Sequence, residues 1–288
     1  MTNTPDAYCV MGNPVAHSRS PWIHARFAEL TGQSVSYDRA LVPLDGFADH
    51  VREFAARGGK GCNVTVPFKL QAAELATSAS ERVRLAGAAN TLVFGANGIH
   101  ADNTDGLGIV ADITRNAGVP IAGRDVLMLG AGGAAAGALG SLLEQKPRRL
   151  VVVNRTHAKA QTLVQQHAEL AALHRVELLA LDHKSLAGDL NHNFDITINA
   201  TASSLSGAEV PAPPSVLRAG SLAYDMMYGP AAQPFLDWAR NHGAVARDGL
   251  GMLVEQAAES YALWRGIRPP SARVLAELRA LLLTEAAH

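Results

Sequence analysis

Short apolar runs alternate along this chain with stretches of helical periodicity. YCVM at 8–11 predicts a strand, and Ser20-Pro21 predicts an N-cap and a first helical position for a helix reaching about Leu30. SYDRALV predicts a second strand, residues 44–57 a helix, and CNVTV a third strand. In the run NVTVPFK, Asn63 and Thr65 fall on one face by the two-residue period, and Pro67 ends the strand just before Lys69. TLVFGANGIHAD predicts a hairpin, because Asn97-Gly98 is favoured turn chemistry. A helix is expected from Asp105 to no further than Gly118.

The texture changes after Gly118. An apolar strand, a glycine turn and an alanine-rich helix follow in VPIAGRDVLMLGAGGAAAGALGSLLEQ. LVVVNRT, RVELLAL, FDITINA, SLAYDMMY and AVARD read as further strands, several separated by helical patterns. Such alternation predicts an α/β fold with right-handed βαβ units and a parallel sheet buried on both faces. Two domains are expected, with a boundary between residues 102 and 122.

With 288 residues, 48% hydrophobic and 18% charged, the chain can fill two sizeable cores. A formal net charge of -1, with scattered basic residues, argues against nucleic acid or an anionic membrane as partner. No apolar run reaches spanning length, and MTNTPDAY has no signal-peptide pattern. Cys9 and Cys62 sit inside apolar runs and read as buried thiols, so a soluble cytoplasmic protein is expected. Eleven histidines raise a metal site, but neither His-Glu-x-x-His nor a paired Cys-x-x-Cys occurs. His17, His24 and His100 read as structural or exposed, and no metal is expected.

The turn after DVLML is Gly130-Ala131-Gly132-Gly133-Ala134-Ala135, which fits G-x-G-x-x-A between a predicted strand and a predicted helix. The first glycine allows the tight turn, the second a close backbone approach to a pyrophosphate, and the third small residue close packing of helix on strand. The helix N-terminus adds free N–H groups and the positive end of its dipole. The next strand ends in Asn154-Arg155-Thr156, without the acid that would hold a ribose 2′-hydroxyl. An arginine there can pair with a 2′-phosphate, and Lys159 adds charge one turn on. NADP is therefore the expected dinucleotide.

Polar clusters in the N-terminal half suit a small polyhydroxylated acid: Ser18 and Ser20, Asn63 and Thr65, Lys69, Asn90, and Asn103-Thr104-Asp105. Singly, each is an ordinary cap, turn or surface group. Taken in order, GNPVAHSRSP, NVTVPFK, AANT, DNTDG, LGAGGA, NRT, YDMMYGP and DGLGMLVEQA resemble the shikimate dehydrogenase family, from about Val10 to Ala257.

That resemblance implies a discontinuous α/β substrate domain of residues 1–105 with the C-terminal helices 250–288. A Rossmann NADP-binding domain of 106–249 would complete it, with the active site in the cleft between the two. The implied activity is the reversible NADPH-dependent reduction of 3-dehydroshikimate to shikimate, in aromatic amino acid biosynthesis. Ser18, Ser20, Asn63, Thr65, Asn90, Asp105 and Gln256 would contact shikimate, with Tyr228 near its carboxylate. Lys69 and Asp105 would be the catalytic pair, the proton coming from Lys69 or from water the pair holds. Gly130, Ala131, Gly132, Gly133 and Ala134 would lie along the pyrophosphate. Asn154, Arg155, Thr156 and Lys159 would surround the 2′-phosphate, and Met226 and Gly249 would flank the nicotinamide. Monomer and homodimer both stay open.

Two departures from the family pattern stand out. Lys159 replaces a common arginine and lacks its planar fork. Ala202-Ser203-Ser204 follows INAT where the family continues Ser-x-Gly. The competing readings are a quinate/shikimate dehydrogenase with broader cofactor use and a non-catalytic NADP-binding sensor. A sensor would have no need of Lys69 and Asp105.

Overall fold

The computed structural model describes residues 4–187, 193–201, 210 and 212–286, so the departure at Ala202-Ser203-Ser204 lies outside the described residues. The chain divides into two compact units, Met1–Gly108 with Leu253–His288, and Ile109–Met252. Each unit carries its own sheet.

In the first unit the strands are β1 (Asp6–Gly12), β2 (Val35–Leu41), β3 (Gly61–Val64), β4 (Ser78–Ala79), β5 (Thr91–Gly95) and β6 (Gly98–Asp102). Their order is β2-β1-β3-β5-β6-β4, parallel over the first three and antiparallel from β3 through β5 to β6. The predicted hairpin is β5–β6, and its two-residue turn is Ala96-Asn97, one position earlier than expected. Gly98, at φ +107°, already pairs with Gly95, and a Cβ there would strike Thr77. Glycine is thus required at the strand start. The helix Ser20–Thr31 begins where Pro21 predicts, but Ser20 is not its cap: Arg19 holds the N-cap position, without a side-chain cap. Ser20 is instead the first helical residue, buried, and its N–H donates to Ser18 Oγ at 3.3 Å.

A polar and aromatic knot sits against β1 and β2. His24 is fully buried, stacked on Tyr37 with ring centroids 4.2 Å apart, and edge-on to Phe27. Burial lowers its pKa to about 3, so the imidazole is neutral in the folded chain. In the unfolded chain it gains a proton near pH 6.5. The folded state therefore binds fewer protons between those values. Its stability from this site is complete above about pH 6.5 and falls by about 1.4 kcal/mol per pH unit toward pH 3. His24→Phe is expected to flatten that acid slope. Urea unfolding at pH 7.5, 5.5 and 4.5 measures it, and equal slopes in both proteins would refute the assignment.

In the second unit β7 (Asp125–Leu129), β8 (Arg149–Val153), β9 (Glu177–Leu181), β10 (Ile196–Asn199), β11 (Leu222–Asp225) and β12 (Val245–Arg247) form a sheet of order β12-β11-β10-β7-β8-β9. Every pairing in it is parallel. Leu127, Val151, Ile198 and Ala223 pack one face or the other, each essentially without solvent. This is the doubly wound order, in which ligands bind beyond the carboxyl ends of the strands at the switch point between β7 and β10.

The helix from Asp105 runs to Ala111 and then widens into a π-helical turn, Asp112–Asn116, closed by Ala117 N–H to Asp112 O at 2.9 Å. The sequence pattern does not mark this widening. At its first residue the fully buried Asp112 side chain accepts from Arg247 Nη2 at 2.5 Å, Arg247 Nε at 3.0 Å, Tyr224 OH at 2.7 Å and Asn116 Nδ2 at 2.9 Å. A Cβ on Gly251 would lie 1.9 Å from its Oδ1, so the helix Leu250–Arg265 can begin there only with glycine. Among the described residues no helix is long and apolar enough to cross a membrane.

Candidate active site

Lys69 is both things its position allows: the first residue of the helix Lys69–Leu75 and a partner of Asp105. Phe68 just before it is fully buried and stacks on Phe47 at 4.9 Å, which anchors the turn after Pro67. Ala89 N–H donates to Lys69 O at 2.8 Å, tying the start of this helix to the segment that carries Asn90. The ammonium then reaches Asp105 Oδ2 at 2.5 Å, in a half-buried setting. Asp105 begins its own helix, where a carboxylate is favoured by the dipole. Its N–H donates to Asn103 Oδ1 at 3.1 Å, and Asn103 Nδ2 donates to Ala88 O at 3.0 Å. Behind them Asp102 is gripped by Arg82 through two nitrogens and by Ser80 Oγ.

Asn90 closes the arrangement. Its Nδ2 donates to Asp105 Oδ1 at 2.8 Å and Thr104 Oγ1 at 3.0 Å, with Gln256 Oε1 at 3.3 Å. Asn63, buried, accepts from Tyr37 OH at 2.7 Å and donates toward Asn90 O, Thr91 Oγ1 and Ser260 Oγ. Lys69, Asn90, Asp105, Gln256 and Asn63 thus form one connected polar cluster. Thr65 continues β3 by donating its N–H to Met11 O at 2.9 Å. A Cβ on Gly12 would sit 2.4 Å from Thr65 Cγ2, which accounts for glycine in GNP. Ser18 is held through its carbonyl by Arg39 at 2.6 and 3.0 Å. Among the described residues no hydrogen bond joins the Ser18 or Ser20 side chain to the Asn90 cluster.

Thr91 and Ser260 are members of this cluster that sequence reasoning left out, whereas Thr104 stands in it among the polar groups without a role of its own. A signal existed for Ser260: it follows Gln256 by four residues on one helix, and residues so spaced share a face.

In the other unit, Gly130 has φ +110° and an ideal Cβ there would meet Ala200 O at 3.0 Å, so this turn needs glycine. Gly132 has φ -92°, and a Cβ on it or on Gly133 would meet no described atom within 4 Å. Nothing among the described residues demands glycine at 132 and 133, while a ligand backbone pressed against the loop would. They open the helix Gly133–Glu144, whose N-terminal N–H groups face that space. Asn154 braces the loop: its Oδ1 accepts from Ala131 N–H at 3.2 Å and its Nδ2 donates to Thr156 O at 2.9 Å. Arg155, Thr156 and Lys159 are exposed beside it, and Ala134 is exposed on the first helical turn. These residues fit a phosphorylated dinucleotide. Met226 N–H donates to Asn199 O, and a Cβ on Gly249 would fall 2.3 Å from Met226 O, so these two backbones touch by virtue of the glycine. Tyr228 is half-buried at the start of the turn Gly229–Ala232.

Three family models match: the shikimate dehydrogenase substrate binding domain over residues 10–92, shikimate / quinate 5-dehydrogenase over 113–208, and the shikimate 5'-dehydrogenase C-terminal domain over 249–279. The chain is 73% identical to the shikimate dehydrogenase (NADP(+)) of Acidovorax sp. (strain JS42), over 98% of this chain and 99% of that one. The chain belongs to the shikimate dehydrogenase family. Among solved members of similar fold, an Ael1 enzyme from Pseudomonas putida is 45% identical, with a TM-score of 0.87 over 95% of this chain and 98% of that one. The shikimate 5-dehydrogenase from Thermus thermophilus, solved with NADP(H) and shikimate, is 28% identical, with a TM-score of 0.81 over 96% and 99%. The fold expected of a shikimate dehydrogenase, an α/β substrate domain and a Rossmann-like domain, is the fold observed.

Proposed function

We propose that this chain catalyses the reversible NADPH-dependent reduction of 3-dehydroshikimate to shikimate, a step toward the aromatic amino acids. The observation that carries the reading is the Lys69–Asp105–Asn90 chain of contacts, which fixes an ammonium group beside a cluster of amides and hydroxyls. The dinucleotide, when bound, supplies the hydride chemistry. Gly130, Ala131, Gly132, Gly133 and Ala134 would hold its pyrophosphate, and Arg155, Thr156 and Lys159 its 2′-phosphate. Met226 and Gly249 would hold the nicotinamide end. Ser18, Ser20, Asn63, Thr65, Asn90, Gln256 and Tyr228 would bind the hydroxyls and carboxylate of the acid.

During reduction, negative charge grows on the substrate carbonyl oxygen. Lys69 stabilises that charge and provides the proton, directly or through water it holds, while Asp105 keeps the ammonium aimed. The two buried free cysteines suit the reducing cytoplasm.

The test is NADP reduction followed by absorbance, with shikimate, with quinate, and with NAD in place of NADP. Fast turnover confined to shikimate and NADP supports the reading. Comparable rates with quinate or NAD would move the chain to the broader dehydrogenases, and NADPH binding without turnover would make it a sensor. Arg155→Ala is expected to raise KM for NADP by about 10–100-fold, the loss of a charge-assisted bond worth about 1.5–3 kcal/mol. Steady-state KM values with NADP and NAD check it: an equal rise for both would separate Arg155 from the 2′-phosphate.

A further inference from the structure

Two buried hydroxyls, Ser260 and Thr91, stand behind the Lys69–Asp105 pair, and each is fully shielded from solvent. Proton accounting narrows how they can be used. Asn90 Oδ1 accepts the backbone N–H of Thr104 at 2.9 Å, and a backbone N–H can only donate. The amide orientation is therefore set, and Nδ2 must face Asp105 Oδ1 at 2.8 Å. Thr91 has one hydroxyl proton to give, and Asn90 Oδ1 at 2.9 Å can only accept it, whereas Ser260 Oγ can serve as donor or acceptor. The Thr91 oxygen is left as an acceptor, and Ser260 Oγ lies 2.7 Å away. Ser260 in turn accepts from Asn63 Nδ2 at 3.0 Å, and its alternatives as a donor, Gln256 O at 3.1 Å and Thr104 Oγ1 at 3.2 Å, are longer.

We propose that Ser260 and Thr91 are positioning residues, forming a one-directional chain of hydrogen bonds, Ser260 to Thr91 to Asn90 to Asp105, that holds the carboxylate and through it Lys69. This inference rests on the reading of Lys69 and Asp105 as the catalytic pair. In a buried chain each bond polarises the next, so removing a distal donor is felt at the far end. The helix Leu250–Arg265 thereby takes part in aiming the pair, though it touches neither member through Ser260. The same helix supplies Gln256 one turn earlier, so one rigid element sets two points of the cluster.

The experiment compares Ser260→Ala, Thr91→Val, their double variant and Thr91→Ser in the full chain. It reads kcat, KM for shikimate, the NADPH dissociation constant and the melting temperature, with assays run well below each midpoint. A positioning role predicts a fall in kcat of about tenfold or more for Thr91→Val and a comparable fall for Ser260→Ala, since small misplacements of reacting groups are costly. The double variant should be little worse than either single, because both break one chain. Thr91→Ser, which keeps the hydroxyl, should restore most of kcat, and NADPH binding should not move. Lower melting temperatures with unchanged kcat would overturn the inference, as would fully additive losses or no rescue by serine. A failure of the unmutated chain to oxidise shikimate would be a different result: it would remove the catalytic reading first, and this inference with it.

Discussion

Lys69→Ala should lower kcat for NADP-dependent shikimate oxidation by about 10²–10⁴-fold, the range for loss of a general acid–base group. Lys69 opens a short helix, where alanine is a good residue, and its partly buried ammonium pairs with Asp105. Asp105 is buried, so the variant leaves its carboxylate without the cation, held by Asn90 Nδ2 at 2.8 Å. That costs stability as well as turnover. The assay is therefore run well below the variant's melting midpoint, where the fall in kcat is read on folded protein. Lys69→Arg separates charge from proton transfer: a guanidinium keeps the charge but does not release a proton near neutral pH, so it should recover substrate binding and not kcat. A loss below tenfold in Lys69→Ala, with only KM for shikimate rising, would reduce Lys69 to a binding residue.

Arg247→Ala should destabilise the chain by about 3–5 kcal/mol, because it strands the buried Asp112 carboxylate. The guanidinium supplies two of the four donors named above for that carboxylate, and the carboxylate in turn raises the arginine pKa. Tyr224 OH and Asn116 Nδ2 stay behind, too few for an ionised group without solvent. Asp112→Asn should cost less, since the amide keeps an acceptor and carries no charge. Combining it with Arg247→Ala should cost less than the sum of the two, as expected for residues in contact. Urea unfolding gives these values, with attention to whether the two units unfold in one transition. A shift below about 1 kcal/mol for Arg247→Ala would mean that water reaches Asp112 and that the pair is not its main support.

Much of the fold was legible because it depends on local periodicity. The strands β1, β7, β8 and β10 stand out as compact apolar runs, and buried parallel strands read that way from any sequence. The glycine loop was equally legible: its first position needs a positive φ and its next glycines leave open space, and both requirements are written in residue type. The hairpin was found, with its turn displaced by one residue, since Gly98 is needed for its φ and for Thr77 rather than for the loop itself.

The candidate site was legible only in part. Lys69, Asn90 and Asp105 were readable as a set through resemblance to a family, while spacing alone left each as a surface or turn residue. Their contacts span 36, 15 and 166 positions of the chain, for Lys69 with Asp105, Asn90 with Asp105, and Asn90 with Gln256. No local pattern encodes such distances. Ser260 lies 169 positions from Thr91, and the direction of the bond between their hydroxyls depends on which protons Asn90 and Thr104 have already claimed. The partners of Asp112, at the start of the π-helical turn, are of the same kind, since its arginine lies 135 positions away. Sequence by itself determined the longer strands, the glycine loop and the cationic strand end, because those are properties of residues and their neighbours along the chain, while the two-residue β4, Ser78–Ala79, has no such pattern. Tertiary structure decided which amide faces which carboxylate, because hydrogen-bond donors and buried charges find partners in space and each proton can be given only once.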